Sequence, residues 1–380
     1  MDNSKKIEHL TSLIESGDYG NKKEALQALY NERGLAYLDW GEYKKALSDF
    51  QEALRLDDKE WGVWYNLGLV YKNLNEPGKA MKNFKKALEL NPKSHETHFQ
   101  IADMLRKKHD YDGAAERYTK AIKLNRKFAD AYNNRGLCHK IKGRYKKALE
   151  DFERAIKIRP KDPDFYQNRG NLYTAMGEYQ SAVGDLSLSL ELDQENETCY
   201  NNRGIARAWL GDFENAVKDL DTCILLSEAR ADWYFEGNPS HYTTRGAICA
   251  VAGDKARATM DFVVAGKIYK DIEEDFREDG GYLTGRGLNY LYLSEFGNAG
   301  EMFDKALALG FEDSHIHVYY ACYRWKWEKD AEAALAGLEK AFAGGYRDFR
   351  ALEGDLFEGY FLKELTDTPE FRALVEKYKK

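Results

Sequence analysis

The feature that most constrains this chain is a period. Units begin at residues 27, 61, 95, 129, 163 and 197, five successive spacings of 34, and three more begin at 239, 280 and 315 after spacings of 42, 41 and 35. Place twenty of the unit is Ala in all nine: Ala46, Ala80, Ala114, Ala148, Ala182, Ala216, Ala258, Ala299 and Ala334. Place eight is always small, reading Gly34, Gly68, Ala102, Gly136, Gly170, Gly204, Gly246, Gly287 and Cys322. Place four carries Tyr30, Trp64, Tyr132, Tyr166, Tyr200 and Tyr242, and place twenty-four carries Phe50, Phe84, Tyr118, Phe152, Phe262 and Phe303. Small places let two helices approach closely while bulky places fill the space between them. A unit of this kind cannot bury its apolar face alone, so neighbours share one core.

Composition fits many uninterrupted helices, with only 6 prolines in 380 residues. The 57 basic and 64 acidic residues are mixed along the chain and sum to -7, so no basic stripe marks a nucleic acid as partner. Five cysteines without CxxC spacing (Cys138, Cys199, Cys223, Cys249, Cys322) read as reduced thiols. The start "MDNSKKIEHLTSLIESGDYG" has no apolar signal core, and no later stretch has the ~18 apolar residues of a membrane span. These readings predict a soluble cytoplasmic protein with no membrane insertion.

A 34-residue unit with an aromatic at four, a small residue at eight, Ala at twenty and an aromatic at twenty-four resembles the tetratricopeptide repeat. Residues 129–162, "ADAYNNRGLCHKIKGRYKKALEDFERAIKIRPKD", fit at nearly every diagnostic place, and the resemblance runs from residue 27 to about 349. It implies an all-α, right-handed superhelical solenoid of about nine helix pairs, first helices lining a concave groove and second helices facing outward. The expected organisation is a capping helix and loop at 1–26, units one to six at 27–238, divergent units seven to nine at 239–349, and capping helices at 350–380 broken near Pro369. Ile7, Leu10, Leu13 and Ile14 share one face of the first cap. Two units carry insertions, around "SEARADWYFEGNPS" and "KDIEEDFREDGG"; Trp233, Tyr234 and Phe235 in the first offer either a partner contact or packing on the next helix.

Place seven and place twenty-three vary together. Arg33, Arg135, Arg169, Arg203 and Arg245 accompany Asp49, Asp151, Asp185, Asp219 and Asp261, whereas Leu67 accompanies Asn83 and Ile101 accompanies Arg117. Residues that come and go together predict an ion pair across the two helices of a unit, a guanidinium fork meeting a carboxylate. Only Arg286, facing Met302, breaks the rule.

The amides read differently. Place six holds Asn66, Gln100, Asn134, Asn168 and Asn202, and place five adds Asn133 and Asn201. Asn is a mediocre helix former, so its repetition inside helices calls for a role. An amide offers a donor and an acceptor together, matching the peptide unit of an extended chain. The resemblance implies an asparagine ladder at place six that grips such a backbone. Asn171, the aromatics Tyr65 and Phe99, and the cations Lys72, Arg106 and Lys140 would add selectivity. From unit seven onward the lining becomes Ala247, Val251, Leu288, Tyr292, Tyr323 and Trp327, which either closes on the C-terminal cap or receives a second partner. Family members that hold the acidic C-termini of heat-shock chaperones use lysine at places two and five and arginine at six, and no unit here has them.

No P-loop, HExxH or nucleotide-binding glycine motif occurs, and the histidines are scattered. The expected work is therefore recognition of a protein or an extended peptide, with no cofactor and no catalysis; a peptide-responsive regulator and an enzyme with a cryptic site are the alternatives.

Overall fold

The computed structural model describes residues 3–17, 23–230, 238–311, 313–346, 349, 352 and 358–379. The chain falls into two compact units, Met1–Ile141 and Lys142–Lys380. In the first, α1 (Asn3–Ser16) leans on α2 (Lys23–Asp39), which pairs with α3 (Tyr43–Leu56). The pairs α4 (Trp61–Asn73) with α5 (Pro77–Leu90) and α6 (His95–Lys107) with α7 (Tyr111–Leu124) follow, and α8 (Ala129–Ile141) ends the unit. The second unit opens with α9 (Tyr145–Ile158) and continues through α10 (Pro163–Met176), α11 (Tyr179–Leu192), α12 (Glu197–Trp209) and α13 (Phe213–Arg230). It then runs through α14 (Pro239–Val251), α15 (Lys255–Asp271), the short α16 (Glu273–Phe276), α17 (Gly280–Tyr292), α18 (Phe296–Ala308), α19 (Ser314–Tyr323) and α20 (Ala331–Ala343). Last come α21 (Glu358–Thr366) and α22 (Pro369–Tyr378). Every regular element among the described residues is a helix. The molecule is an all-α repeat solenoid; within each unit, first helices pack on the second helix of their own repeat, as in α4 with α5 and α10 with α11, and on the helix before, as in α4 with α3 and α12 with α11.

One backbone position makes each pair. Place fifteen is left-handed in every unit: Gly41, Gly143, Gly177, Gly211 and Gly253, and also Asn75, His109, Ser294 and Lys329, all with φ between 56° and 90°. A residue in this conformation reverses the chain after the first helix and lets the second fold back antiparallel. Glycine does so without Cβ strain, and the four other residues bear that cost.

The core repeats one contact. The place-twenty-four side chain of the second helix lies over place eight of the first, where glycine leaves room for it. A Cβ on Gly34 would stand 2.7 Å from the Phe50 ring, on Gly68 2.4 Å from Phe84, on Gly246 2.7 Å from Phe262 and on Gly287 2.5 Å from Phe303. Gly170 meets Leu186 and Gly204 meets Leu220 in the same way. Phe50, Phe84, Phe152 and Phe303 are fully buried, as is every place-twenty alanine except Ala258 at 3% exposure. All five cysteines are buried thiols. Burial pushes Cys138, Cys199 and Cys249 up to about 11 and Cys223 to about 12.

The ends close the core. Ile7 and Leu10 of α1 are buried. In the second unit α21 packs on α19 and α22 packs on α20, burying Leu362, Leu365, Phe371 and Val375. Pro369 is the first residue of α22, whose N-terminus Thr368 caps by accepting from the Phe371 N–H. Phe361 of α21 lies 4.9 Å from Tyr292, so this part of the late apolar lining packs against a C-terminal helix. The second insertion extends α15 and forms α16; Trp233, Tyr234 and Phe235 of the first lie outside the described residues.

Two substitutions at place fifteen test the turn with opposite signs. Gly177→Ala, at φ 72°, is expected to lower stability by about 1–2 kcal/mol. Ser294→Gly, at φ 61°, is expected to raise it by less, because glycine also gains freedom in the unfolded chain. Thermal melting followed by circular dichroism reads both. A second check is thiol alkylation: iodoacetamide should leave all five cysteines unmodified in the native chain and label them after denaturation, because buried protonated thiols are poor nucleophiles.

Candidate functional site

The place-seven arginines are anchored from several sides. Arg33 donates from Nε and Nη2 to the two oxygens of Asp49 at 2.8 and 2.7 Å. Arg169 meets Asp185 at 2.6 and 2.8 Å, Arg203 meets Asp219 at 3.0 and 2.7 Å, and Arg245 meets Asp261 at 3.0 and 2.7 Å. The free edge of the guanidinium reaches back to the preceding helical element: Arg33 to Thr11 at 3.1 Å, Arg135 to Thr119 at 2.9 Å, Arg203 to Ser187 at 3.1 Å and Arg245 to Asp221 at 2.8 Å. The place-four tyrosine ring lies beneath, 5.5 to 6.0 Å from the guanidinium carbon of Arg33, Arg169, Arg203 and Arg245. The hydrogen bond to Asp49 raises Arg33 above the ordinary arginine value, and that to Asp185 does the same for Arg169. Arg135 and Asp151 belong to different units, and Asp151 is buried in its own.

Arg286, which faces Met302 instead of a carboxylate, takes its partners from elsewhere. Its Nη1 donates to Glu273 and to the Tyr282 hydroxyl, each at 2.8 Å. Glu273 lies on α16, so the second insertion supplies the carboxylate that the repeat lacks.

Several amides of the first helices are joined to the first helix of the preceding repeat. In the first unit Asn66 Nδ2 donates to Asn31 Oδ1 at 3.0 Å, and Asn134 Nδ2 donates to Asp103 Oδ1 at 3.1 Å. Asn133 donates to Asn134 at 3.2 Å, and Lys72 Nζ donates to Gln100 Oε1 at 2.7 Å. The Tyr118 hydroxyl also donates to Asp103. In the second unit Asn202 Nδ2 donates to Asn171 Oδ1 at 2.8 Å, and Asn201 donates to Asn202 at 3.3 Å. Asn66 and Asn133 are buried, while Gln100, Asn134, Asn168, Asn171, Asn201 and Asn202 are half-buried. Tyr65 leans on Phe84 at 5.8 Å, and Phe99 on Phe128 at 4.8 Å. Burial lowers Lys72 and Lys140 below the ordinary lysine value. Arg106 stands beside Tyr118 and Asp103 on the same layer.

In the second unit the first-helix layer also holds a cavity of about 310 Å³ lined by Ser240, Thr243, Thr244, Thr284, Asp313 and His315, with Tyr269 at one wall. The Tyr269 hydroxyl lies only 2.5 Å from where a Cβ on Gly285 would stand, so glycine at place six admits it. Asp313 accepts from the His315 ring at 2.8 Å, which lowers its carboxyl below the ordinary value. Sequence reasoning passed over this site because it followed amides; the signal was hydroxyls at places two, five and six, where earlier units carry acids and amides. Among the described residues no group of three or more His, Cys, Asp or Glu is placed to hold a metal, and no helix is long and apolar enough to cross a membrane.

Comparison with known proteins gives the class. Tetratricopeptide repeat models match residues 28–60, 62–94, 129–162 and 152–184, and a TPR repeat model matches residues 102–140. The chain carries tetratricopeptide repeats between residues 28 and 184. No curated protein matches it by sequence. Among solved structures it is similar to PilF of Pseudomonas aeruginosa, with 20% identity, a TM-score of 0.50, and coverage of 54% of this chain and 93% of that one. A tetratricopeptide repeat protein from Parabacteroides merdae aligns at 19% identity and a TM-score of 0.49 over 64% of this chain and 93% of its own. YrrB, described as a TPR protein with an unusual peptide-binding site, aligns at 20% identity and 0.41 over 49% and 91%.

The clamp allows a direct test. Arg169→Leu strands Asp185, whose side chain is only 7% exposed, and is expected to cost about 3 kcal/mol. Adding Asp185→Asn reproduces the Leu67 and Asn83 combination that the chain already uses, and should recover most of that loss in a urea titration.

Proposed function

We propose that this chain is a non-catalytic binding scaffold whose first-helix layers hold an extended segment of a partner protein through their amides. The observation that carries the reading is a set of oriented bonds from three place-six amides to the first helix of the preceding repeat, Asn66 to Asn31, Asn134 to Asp103 and Asn202 to Asn171. Such a bond fixes the amide plane and uses one of its two N–H donors, leaving a second donor and acceptor capacity for a ligand. Side chains fixed in advance lose less conformational entropy on binding than free ones. Lys72, Arg106 and Lys140 beside the amides favour a segment that carries carboxylates. In the second unit the hydroxyl-lined cavity suits a side chain of a bound segment.

Affinity capture from the native lysate tests this reading. The natural chain is compared with a variant carrying Asn134→Ala, Asn168→Ala and Asn202→Ala, after circular dichroism has shown equal helicity. Proteins retained by the natural chain should be lost or weakened about tenfold or more, as expected when several buried hydrogen bonds disappear. Equal recovery by both chains would remove the amides from the binding face.

A further inference from the structure

The second repeat lacks the clamp, and its absence leaves an opening. Leu67 stands where six repeats carry arginine, Asn83 where five carry aspartate, and Gln51 at the place from which Ser187 or Asp221 meets the guanidinium elsewhere. These three residues line a cleft of about 750 Å³ between the second helices α3 and α5, with α4 as its floor. Asn83 does not reach across it, because its amide donates to the Lys79 carbonyl one turn back on α5. The floor is apolar, made of Trp64, Leu67 and Tyr71, with Leu54 of α3 beside them.

The rim is basic. Lys79, Lys82, Lys85 and Lys86 of α5 all line the cleft. Lys79 pairs with Glu76 at 2.5 Å and Lys86 with Glu89 at 3.0 Å. Lys82 and Lys85 are exposed and have no ion-pair partner among the described residues. Four lysines against one glutamate on α5, in a chain whose net charge is -7, concentrate positive charge around an apolar cavity.

We infer that this cleft is a second docking site, taking a short acidic segment of a partner protein that inserts an apolar side chain. The apolar anchor rests on Leu67 and Trp64, and flanking carboxylates pair with Lys82 and Lys85. A duplex or a lipid surface presents a continuous anionic front with nothing to fill the cavity, whereas an acidic segment with a Phe or Leu anchor satisfies both floor and rim. The site lies on the second-helix side of the repeat, away from the amides, and is independent of the binding face proposed above.

The test uses the full chain and a fluorescein-labelled acidic peptide with a central Phe-Leu pair. The comparison ligands are the same peptide with a Ser-Ser centre, phosphatidylserine vesicles and a DNA duplex. The natural chain should bind the Phe-Leu peptide, and the Ser-Ser peptide should bind about tenfold more weakly. Leu67→Arg combined with Asn83→Asp restores the clamp, so it should fill the cleft and remove binding without lowering the melting temperature. Lys82→Glu with Lys85→Glu, both at exposed positions, should also remove binding with circular dichroism unchanged. Undiminished binding by the clamp-restored chain would overturn the inference. So would equal binding of the two peptides, stronger binding of vesicles or duplex than of the Phe-Leu peptide, or no binding of that peptide by the natural chain.

Discussion

The rest of the structure depends on the gap at place eight. A ring or branched side chain from the second helix enters a space that the small residue of the first helix leaves open, as at Gly68 beneath Phe84 and Gly287 beneath Phe303. Interiors are close-packed, so a methyl added at Gly68 or Gly287 would run into the ring above it. This contact brings the two backbones of a repeat together, and the left-handed residue at place fifteen makes the reversal that allows it. The arginine then acts at a second level. By holding the aspartate of its own repeat and a side chain of the preceding helical element, it links what the core contact has already brought close.

Seen this way, frame and contact surface use different chemistry. The frame is made of small and bulky apolar residues and of a charge pair that is mostly withdrawn from water, Asp185 at 7% and Arg169 at 19% exposure. The first-helix surface carries amides, hydroxyls and half-buried cations, groups able to satisfy a polypeptide backbone. Where the frame is relaxed, as at Leu67 and Asn83, space appears on the second-helix side.

Much of this was legible in the sequence because the chain contains its own comparison set. Nine copies of Ala at place twenty and a small residue at eight in every copy define the helix pair, and the joint variation of places seven and twenty-three identifies the geometry seen at Arg33 with Asp49. The third side of the clamp was hidden, since place twenty-five reads Gln51, Lys85, Thr119, Glu153, Ser187, Asp221 and Val263, with no common type. The partner of Arg286 was hidden for a related reason: Glu273 sits in an insertion, where a period gives no register. The amides could be placed on the first helices by spacing, but spacing does not say that Asn134 meets Asp103 or that Asn202 meets Asn171. Those bonds depend on how neighbouring repeats are staggered. The cleft beside α5 is a vacancy, and a vacancy shows in a sequence only as two replaced residues until its walls are assembled.

The central claim is that the arginine and aspartate belong to the frame while the amides meet the partner. The most direct measurement is partner recovery by a chain carrying Arg169→Leu and Asp185→Asn together, after circular dichroism has shown that its helices are intact. The account predicts that this chain retains the same proteins as the natural one. Loss of those proteins from a folded chain would contradict it, because the guanidinium would then be reading the ligand and not only bracing the repeats.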